Sequence, residues 1–239
     1  TRTVIVEEYK EGKEISVDVF VENGQAKVML LTTSTKVKKN VGFTILQSVY
    51  PTDLSEEIVG KIRLVAQKIS EVFEIDNCPI LIQLIADYED VYVLEFSARI
   101  GGGTKYRLIE ILAGVNIMSV YVDCILGKKP TIQCEYKVKY AHLNYCYCKP
   151  GVFDRLINFD EMKDAGIIHE YYQYKTNGMQ ISKSDSSGDR AAGYLIVADS
   201  LDELLYKEKV ANETLEIRSK EDVDIYERKF IEEIQAFDR

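Results

Sequence analysis

Leu81-Ile-Gln-Leu-Ile-Ala-Asp-Tyr-Glu-Asp-Val-Tyr-Val-Leu-Glu-Phe-Ser-Ala-Arg99, with Gly101-Gly102-Gly103 close behind it, is the stretch whose reading decides the fold. Two runs rich in β-forming residues, Ile80 to Ala86 and Val91 to Phe96, flank a polar turn and predict an antiparallel hairpin. With Ala86 paired to Tyr92, Gln83 falls opposite Glu95, and strand alternation places Ser97 on the same face. An amide, a carboxylate and a hydroxyl on one patch suit a hard divalent cation such as Mg²⁺. Such an ion takes a few protein oxygens and leaves its other positions to water and phosphate. Arg99, just past the strand, adds a positive charge beside the patch. A hairpin with one solvated face gives the same pattern, because antiparallel sheets are commonly wet on one side. The three glycines match neither Gly-x-x-x-x-Gly-Lys-Ser/Thr nor Gly-x-Gly-x-x-Gly. Their expected role is a tight exit from the strand into a helix beginning at Thr104, whose N-terminal amides favour an anion.

Outside this hairpin the composition is that of a globular chain. Of 239 residues, 46% are hydrophobic and 29% charged, enough for one large or two smaller domains. The formal net charge of −9 argues against nucleic acid, which requires a basic face. No apolar run approaches the roughly 20 residues needed to span a bilayer, so no membrane partner is expected and the protein reads as cytoplasmic. Cys78, Cys124, Cys134, Cys146 and Cys148 form no Cys-x-x-Cys pair, and His142 and His169 are the only imidazoles. Zinc and Cys/His nucleophilic chemistry have little to work with. Cys146 and Cys148, two apart in an alternating run, read as a pair of buried thiols.

Along the chain, Thr3–Val6 reads as a strand that opens abruptly, which suggests a C-terminal piece of a longer protein. Ile15 to Val21 and Lys27 to Leu31 read as a hairpin about Asn23-Gly24. The polar, Lys-rich stretch from Thr32 to Asn40 reads as a loop. Asp53-Leu-Ser-Glu56 has capping-box spacing ahead of an amphipathic helix carrying Ile58, Ile62, Val65, Ile69 and Val72. Helices are expected over Thr104 to Leu112 and Asn116 to Leu126, broken at Gly114 and stopped at Gly127. Beyond a boundary near residue 131, strands at Val138–Cys148, Ile167–Gln173 and Ala191–Ala198 and helices at Leu201–Ala211 and Glu221–Phe237 predict a second α+β unit. Its turns fall at Pro150-Gly151, Asn177-Gly178 and Ser187-Gly-Asp-Arg190.

Val4-Ile-Val-Glu-Glu-Tyr-Lys-Glu-Gly-Lys-Glu14-Ile-Ser-Val-Asp-Val, then Gln83 and Leu94-Glu-Phe-Ser-Ala-Arg99-Ile-Gly-Gly-Gly103, resemble the ATP-grasp superfamily of carboxylate-amine ligases. The resemblance implies an α+β fold: the C-terminal lobe of an ATP-grasp domain over residues 1–130, an antiparallel sheet with flanking helices, followed by a smaller α+β domain over 131–239. The second part is similar in order of elements to the biotin carboxylase, glycinamide ribonucleotide synthetase and L-amino-acid ligase branches. Carried over by position, the backbone of Glu8 and Lys10 would meet adenine, with Glu7 close by, and Glu14 would hold the ribose hydroxyls. Gln83 and Glu95 would ligate the metal, and Arg99 would stabilise the phosphoryl group or acyl phosphate. Ser97 stands where the family usually has Asn, sometimes Asp.

The implied cofactors are ATP and Mg²⁺, or Mn²⁺ in its place. The implied partners are a small-molecule carboxylate and an amine, with a homodimer admissible. The implied activity is ATP-dependent ligation through an acyl phosphate. A nucleotide-binding module without turnover and a purely structural α+β pair are the other two classes. Family members normally carry, before the first motif, an α/β domain and a lobe with a glycine-rich lid and phosphate-binding lysines. Lys36, Lys38 and Lys39 are not expected to replace those lysines, so the 239 residues alone are expected to be folded but catalytically silent.

Overall fold

The structure, a computed structural model, describes residues 4–36, 44–129, 131–182 and 186–228. Its elements begin with β1 (Lys13–Glu22), β2 (Gln25–Lys36), β3 (Ile45–Tyr50), α1 (Glu56–Val72), β4 (Cys78–Ala86), β5 (Val91–Ser97), α2 (Lys105–Ala113) and α3 (Ile117–Ile125). They continue with β6 (Tyr140–Cys146), β7 (Gly151–Ile157), α4 (Phe159–Asp164), β8 (Glu170–Gln173), β9 (Gln180–Ile181), β10 (Ala192–Ala198), α5 (Leu201–Thr214) and β11 (Glu216–Ser219). Two compact units result: Thr1–Thr33 with Thr52–Cys134, and Ser34–Pro51 with Glu135–Arg239. A single cut near residue 131 therefore misplaces one piece. The segment carrying β3 belongs with the second unit, because β3 pairs antiparallel with β6.

In the first unit the strands lie in the order β5-β4-β1-β2. Asn23 and Gly24 both have positive φ, 50° and 76°, which matches the strand twist of a two-residue hairpin and joins β1 to β2 at the expected place. Ile15, Val17, Val19 and Val21 project from one face of β1 onto Ile58, Ile62, Ala66 and Ile69 of α1, with Ile80, Ile82 and Leu84 of β4 completing the core. Helix α1 starts at Ser55, whose side chain accepts from the Ile58 amide at 3.3 Å, and Glu56 and Glu57 in its first turn complement the helix dipole. Asp53 is not the cap; its carboxylate pairs with Lys13. Ile62 is fully buried at the centre of this core. Ile62→Ala is expected to lower unfolding free energy by about 2–5 kcal/mol, measured by urea denaturation. A loss below about 1 kcal/mol would mean that α1 is not docked on the sheet as described.

Several expectations are corrected. Thr3–Val6 is not a strand. Thr3 lies outside the described residues, and Val4 to Lys10 is irregular and largely exposed, because no strand among the described residues offers its backbone a ladder. Strand β2 continues through Thr32 to Lys36 where a loop was expected. Its Thr32 and Ser34 are buried, so polarity along this strand marks a packed polar face and not an excursion into solvent. Residues 37–40 of that expected loop lie outside the described residues.

The second unit orders its main strands β3-β6-β10-β8 and adds a small sheet, β11-β7-β9. Phe153, Phe159, Tyr194, Ile196, Leu204 and Ile217 fill its core together with Cys146 and Cys148. Neither forms a disulfide among the described residues. Burial pushes Cys146 up to about 12 and raises Cys148 as well, so they are inert packing groups. The expected helix over Glu221–Phe237 does not start where predicted. Residues up to Arg228 form turns with isolated bridges, Cys148 to Tyr226 and Arg218 to Asp224, and the remainder lies outside the described residues. Among the described residues, no single helix is long and apolar enough to cross a membrane.

Candidate nucleotide and metal site

The face of β1 opposite α1 carries the polar residues. Glu14, Ser16 and Asp18 alternate with the core-facing Ile15, Val17 and Val19. Register across the sheet aligns Thr32 of β2, Ser16 of β1, Gln83 of β4 and Glu95 of β5 in one row. The next row aligns Leu30, Asp18, Leu81 and Ser97. Paired residues share a face, so Gln83, Glu95 and Ser97 stand together on the side bearing Glu14 and Asp18. Gln83 Nε2 donates to Glu14 Oε1 at 3.4 Å.

The route to that register differs from expectation. Tyr92 pairs with Ile85, not Ala86, and Val93 with Leu84; a bulge between Gln83 and Leu84 then restores Gln83 opposite Glu95. The additional residue in β5, Leu94, turns the strand so that Glu95 meets its partner despite the shifted turn.

Beyond β5, Arg99 is exposed, with its Nη1 donating to the Ile100 carbonyl at 3.1 Å. The glycines that follow are tied to β1 by a contact that sequence spacing did not reveal. A Cβ at Gly101 would clash with Asp18 Oδ1, so glycine lets this backbone close over the carboxylate without displacing it. Asp18 is buried, and its Oδ2 lies 3.8 Å from the Lys105 ammonium at the start of α2, which also donates to Thr32 Oγ1. Burial raises the Asp18 carboxyl above its ordinary value, with Lys105 and Arg99 opposing the shift. Asp18, Lys105 and Thr32 were missed by sequence reasoning. The available signal was an Asp in the otherwise apolar run Ile15-Ser-Val-Asp-Val19.

Glu7, Glu8 and Lys10 lie in the irregular segment before β1. Glu7 and Glu8 are exposed, and Lys10 pairs with Glu8 at 2.8 Å and sits over the Tyr92 ring at 4.5 Å. The Glu8 carboxylate holds the Lys10 ammonium above its usual range.

Residues 1–106 match the family model of the ATP-grasp domain. Over these residues the chain is similar to an ATP-grasp domain. The sequence matches none of the curated proteins. Among solved structures, the chain is similar to an L-amino acid ligase from Bacillus licheniformis, at 19% identity and TM-score 0.74, over 89% of this chain and 53% of that one. It is also similar to phosphoribosylglycinamide synthetase from Anaerococcus prevotii, at 20% identity and TM-score 0.70, over 89% and 55%. The biotin carboxylase domain of the Hydrogenobacter thermophilus 2-oxoglutarate carboxylase, solved with MgADP and bicarbonate, matches at 15% identity and TM-score 0.64, over 86% and 46%. The chain spans about half the length of these structures, and at such identities the likeness is one of fold.

Among the described residues no cluster of three acidic, His or Cys side chains could hold a metal by itself. Glu95 and Glu14, with the Gln83 amide and the Ser97 hydroxyl, offer a few hard oxygens on one face. That suits an ion that draws its remaining ligands from phosphate and water.

Proposed function

We propose that the ATP-grasp face of β1, β4 and β5 binds Mg-ATP for an ATP-dependent ligase joining a small-molecule carboxylate to an amine or thiol. The observation that carries this reading is the Ser16–Gln83–Glu95 row, with Glu14 beside Gln83 and Arg99 just beyond Ser97. In this reading Glu95 is the main metal ligand and Gln83 and Ser97 are subordinate, since a carboxylate attracts a divalent cation more strongly than an amide or hydroxyl. Mg²⁺, or Mn²⁺, supplies charge neutralisation between the phosphates when bound. Glu14 accepts from the ribose hydroxyls, the backbone of Glu8 and Lys10 meets adenine with Glu7 alongside, and Arg99 faces the γ-phosphoryl group.

The substrate carboxylate oxygen attacks the γ-phosphorus and ADP leaves. The amine then attacks the acyl carbon, expels phosphate and loses its proton. Catalysis of this kind rests on positioning and charge stabilisation, which a set of oxygens and one guanidinium can supply. The test is ADP release by the full gene product with pools of amino acids and other carboxylates. Release that requires Mg²⁺, a carboxylate and an amine together is expected. Nucleotide binding without any release would replace the ligase by a non-catalytic nucleotide-binding module.

Glu14→Ala is expected to weaken ATP binding about tenfold, because a hydrogen bond to a charged group contributes about 1.5–3 kcal/mol. Calorimetric titration with ATP and with 2′,3′-dideoxy-ATP separates the causes. Equal loss for the two nucleotides would remove the ribose contact from Glu14.

A further inference from the structure

In the second unit, Arg190 is half-buried and forms no ion pair among the described residues. Its guanidinium lies over the Tyr145 ring, 3.6 Å from the centroid. Its Nε donates to Tyr147 Oη at 3.2 Å and its Nη2 to Ser187 Oγ at 3.2 Å. Tyr147 Oη is itself oriented, because it donates to the Ile45 carbonyl at 2.9 Å. These contacts brace one face and the Nε–Nη2 edge of the guanidinium plane. No described residue engages Nη1, so the Nη1–Nη2 edge keeps the parallel N–H pair that matches a planar two-oxygen anion.

The described surroundings do not neutralise the charge. Burial raises the Tyr145 and Tyr147 phenols and keeps them uncharged. The adjacent acid, Asp189, is turned away into the cap of its own loop, where its Oδ2 accepts from the Ser186 amide at 2.9 Å and from Ser186 Oγ at 3.0 Å. Gly193 on β10 admits the Tyr174 hydroxyl, which would lie 2.9 Å from a Cβ there. A half-buried cation with no counter-charge among the described residues is costly, and holding it in place with a stacked ring and two oriented hydroxyls adds an entropic cost. A bound anion offsets both.

We propose that Arg190, braced by Tyr145, Tyr147 and Ser187, is a binding site for the carboxylate group of a small-molecule ligand. One guanidinium balances the single charge of a carboxylate but only half that of a phosphate dianion, and a chain of net charge −9 disfavours the dianion further.

The experiment titrates the 239-residue chain with acetate, succinate and L-glutamate, and in parallel with inorganic phosphate and sulfate. Binding is followed by calorimetry and by the side-chain ¹⁵N resonances of arginine. At least one carboxylate is expected to bind and to shift the Arg190 resonance. Arg190→Met should weaken that binding at least about tenfold. Arg190→Lys keeps the charge and the volume but loses the fork, so it should recover only part of the loss. Binding is measured without nucleotide or Mg²⁺, so the outcome is independent of the ligase reading. Absence of carboxylate binding at tens of millimolar would overturn the proposal. So would unchanged affinity in folded Arg190→Met and Arg190→Lys, or binding of phosphate and sulfate alone.

Discussion

Arg99→Ala is expected to lower ADP release by the full gene product about 1,000-fold, with an unchanged thermal transition and little change in ATP affinity. Arg99 is exposed, its hydrogen bond among the described residues is a local one to the Ile100 carbonyl, and buried Asp18 keeps Lys105 beside it, so the fold should survive its removal. Its proposed contribution is to the charge that develops on the transferring phosphoryl group. Arginines placed there are worth about 10³–10⁵ in rate, and a single oxyanion donor about 10²–10³. Arg99→Lys should recover part of the loss, because it restores the charge without the planar fork. The readout is steady-state release at saturating Mg-ATP. A rate within threefold of the unsubstituted protein would remove Arg99 from the site.

Glu95→Ala is expected to cost about 100-fold or more in the same assay and to raise the Mg²⁺ concentration needed for half-maximal release. Glu95 is exposed on β5 and its backbone pairing does not depend on its side chain, so the fold should survive. In the proposed reading its removal leaves Gln83 and Ser97, which would hold a divalent cation more weakly. The diagnostic is the Mg²⁺ titration: a fall in rate that excess Mg²⁺ partly reverses fits a lost ligand, whereas near-normal release at limiting Mg²⁺ would move the metal elsewhere. Gln83→Ala should follow the same direction with a smaller amplitude.

Much of this face was legible from one-dimensional pattern because its strands are read locally. Val91–Ser97 and Cys78–Ala86 carry β-branched residues on either side of a polar turn, and the Gln83–Glu95 pairing followed from counting back along that hairpin. The count reached the right partners through the wrong turn register, because a bulge of one residue leaves no trace in alternation. Helix α1 was equally legible from its period, while its cap moved from Asp53 to Ser55 once Asp53 was drawn to Lys13, 40 residues away.

What the sequence by itself determined was the hairpin, the amphipathic helix, the Asn23-Gly24 turn and the order of the acidic and amide residues that face one way along β1, β4 and β5. Each follows from interactions within a few residues, so each is written in local periodicity. Tertiary structure alone decided that Val4–Lys10 is irregular, that β2 runs on to Lys36 and that β3 belongs with the second unit. It also decided that Asp18 lies under Gly101 beside Lys105, and that Arg190 stacks on Tyr145 with no carboxylate partner among the described residues. These depend on which distant strand supplies a ladder and which distant side chain fills a space. Pairing and burial between residues far apart in the chain are set by the packed fold, and no local pattern encodes them.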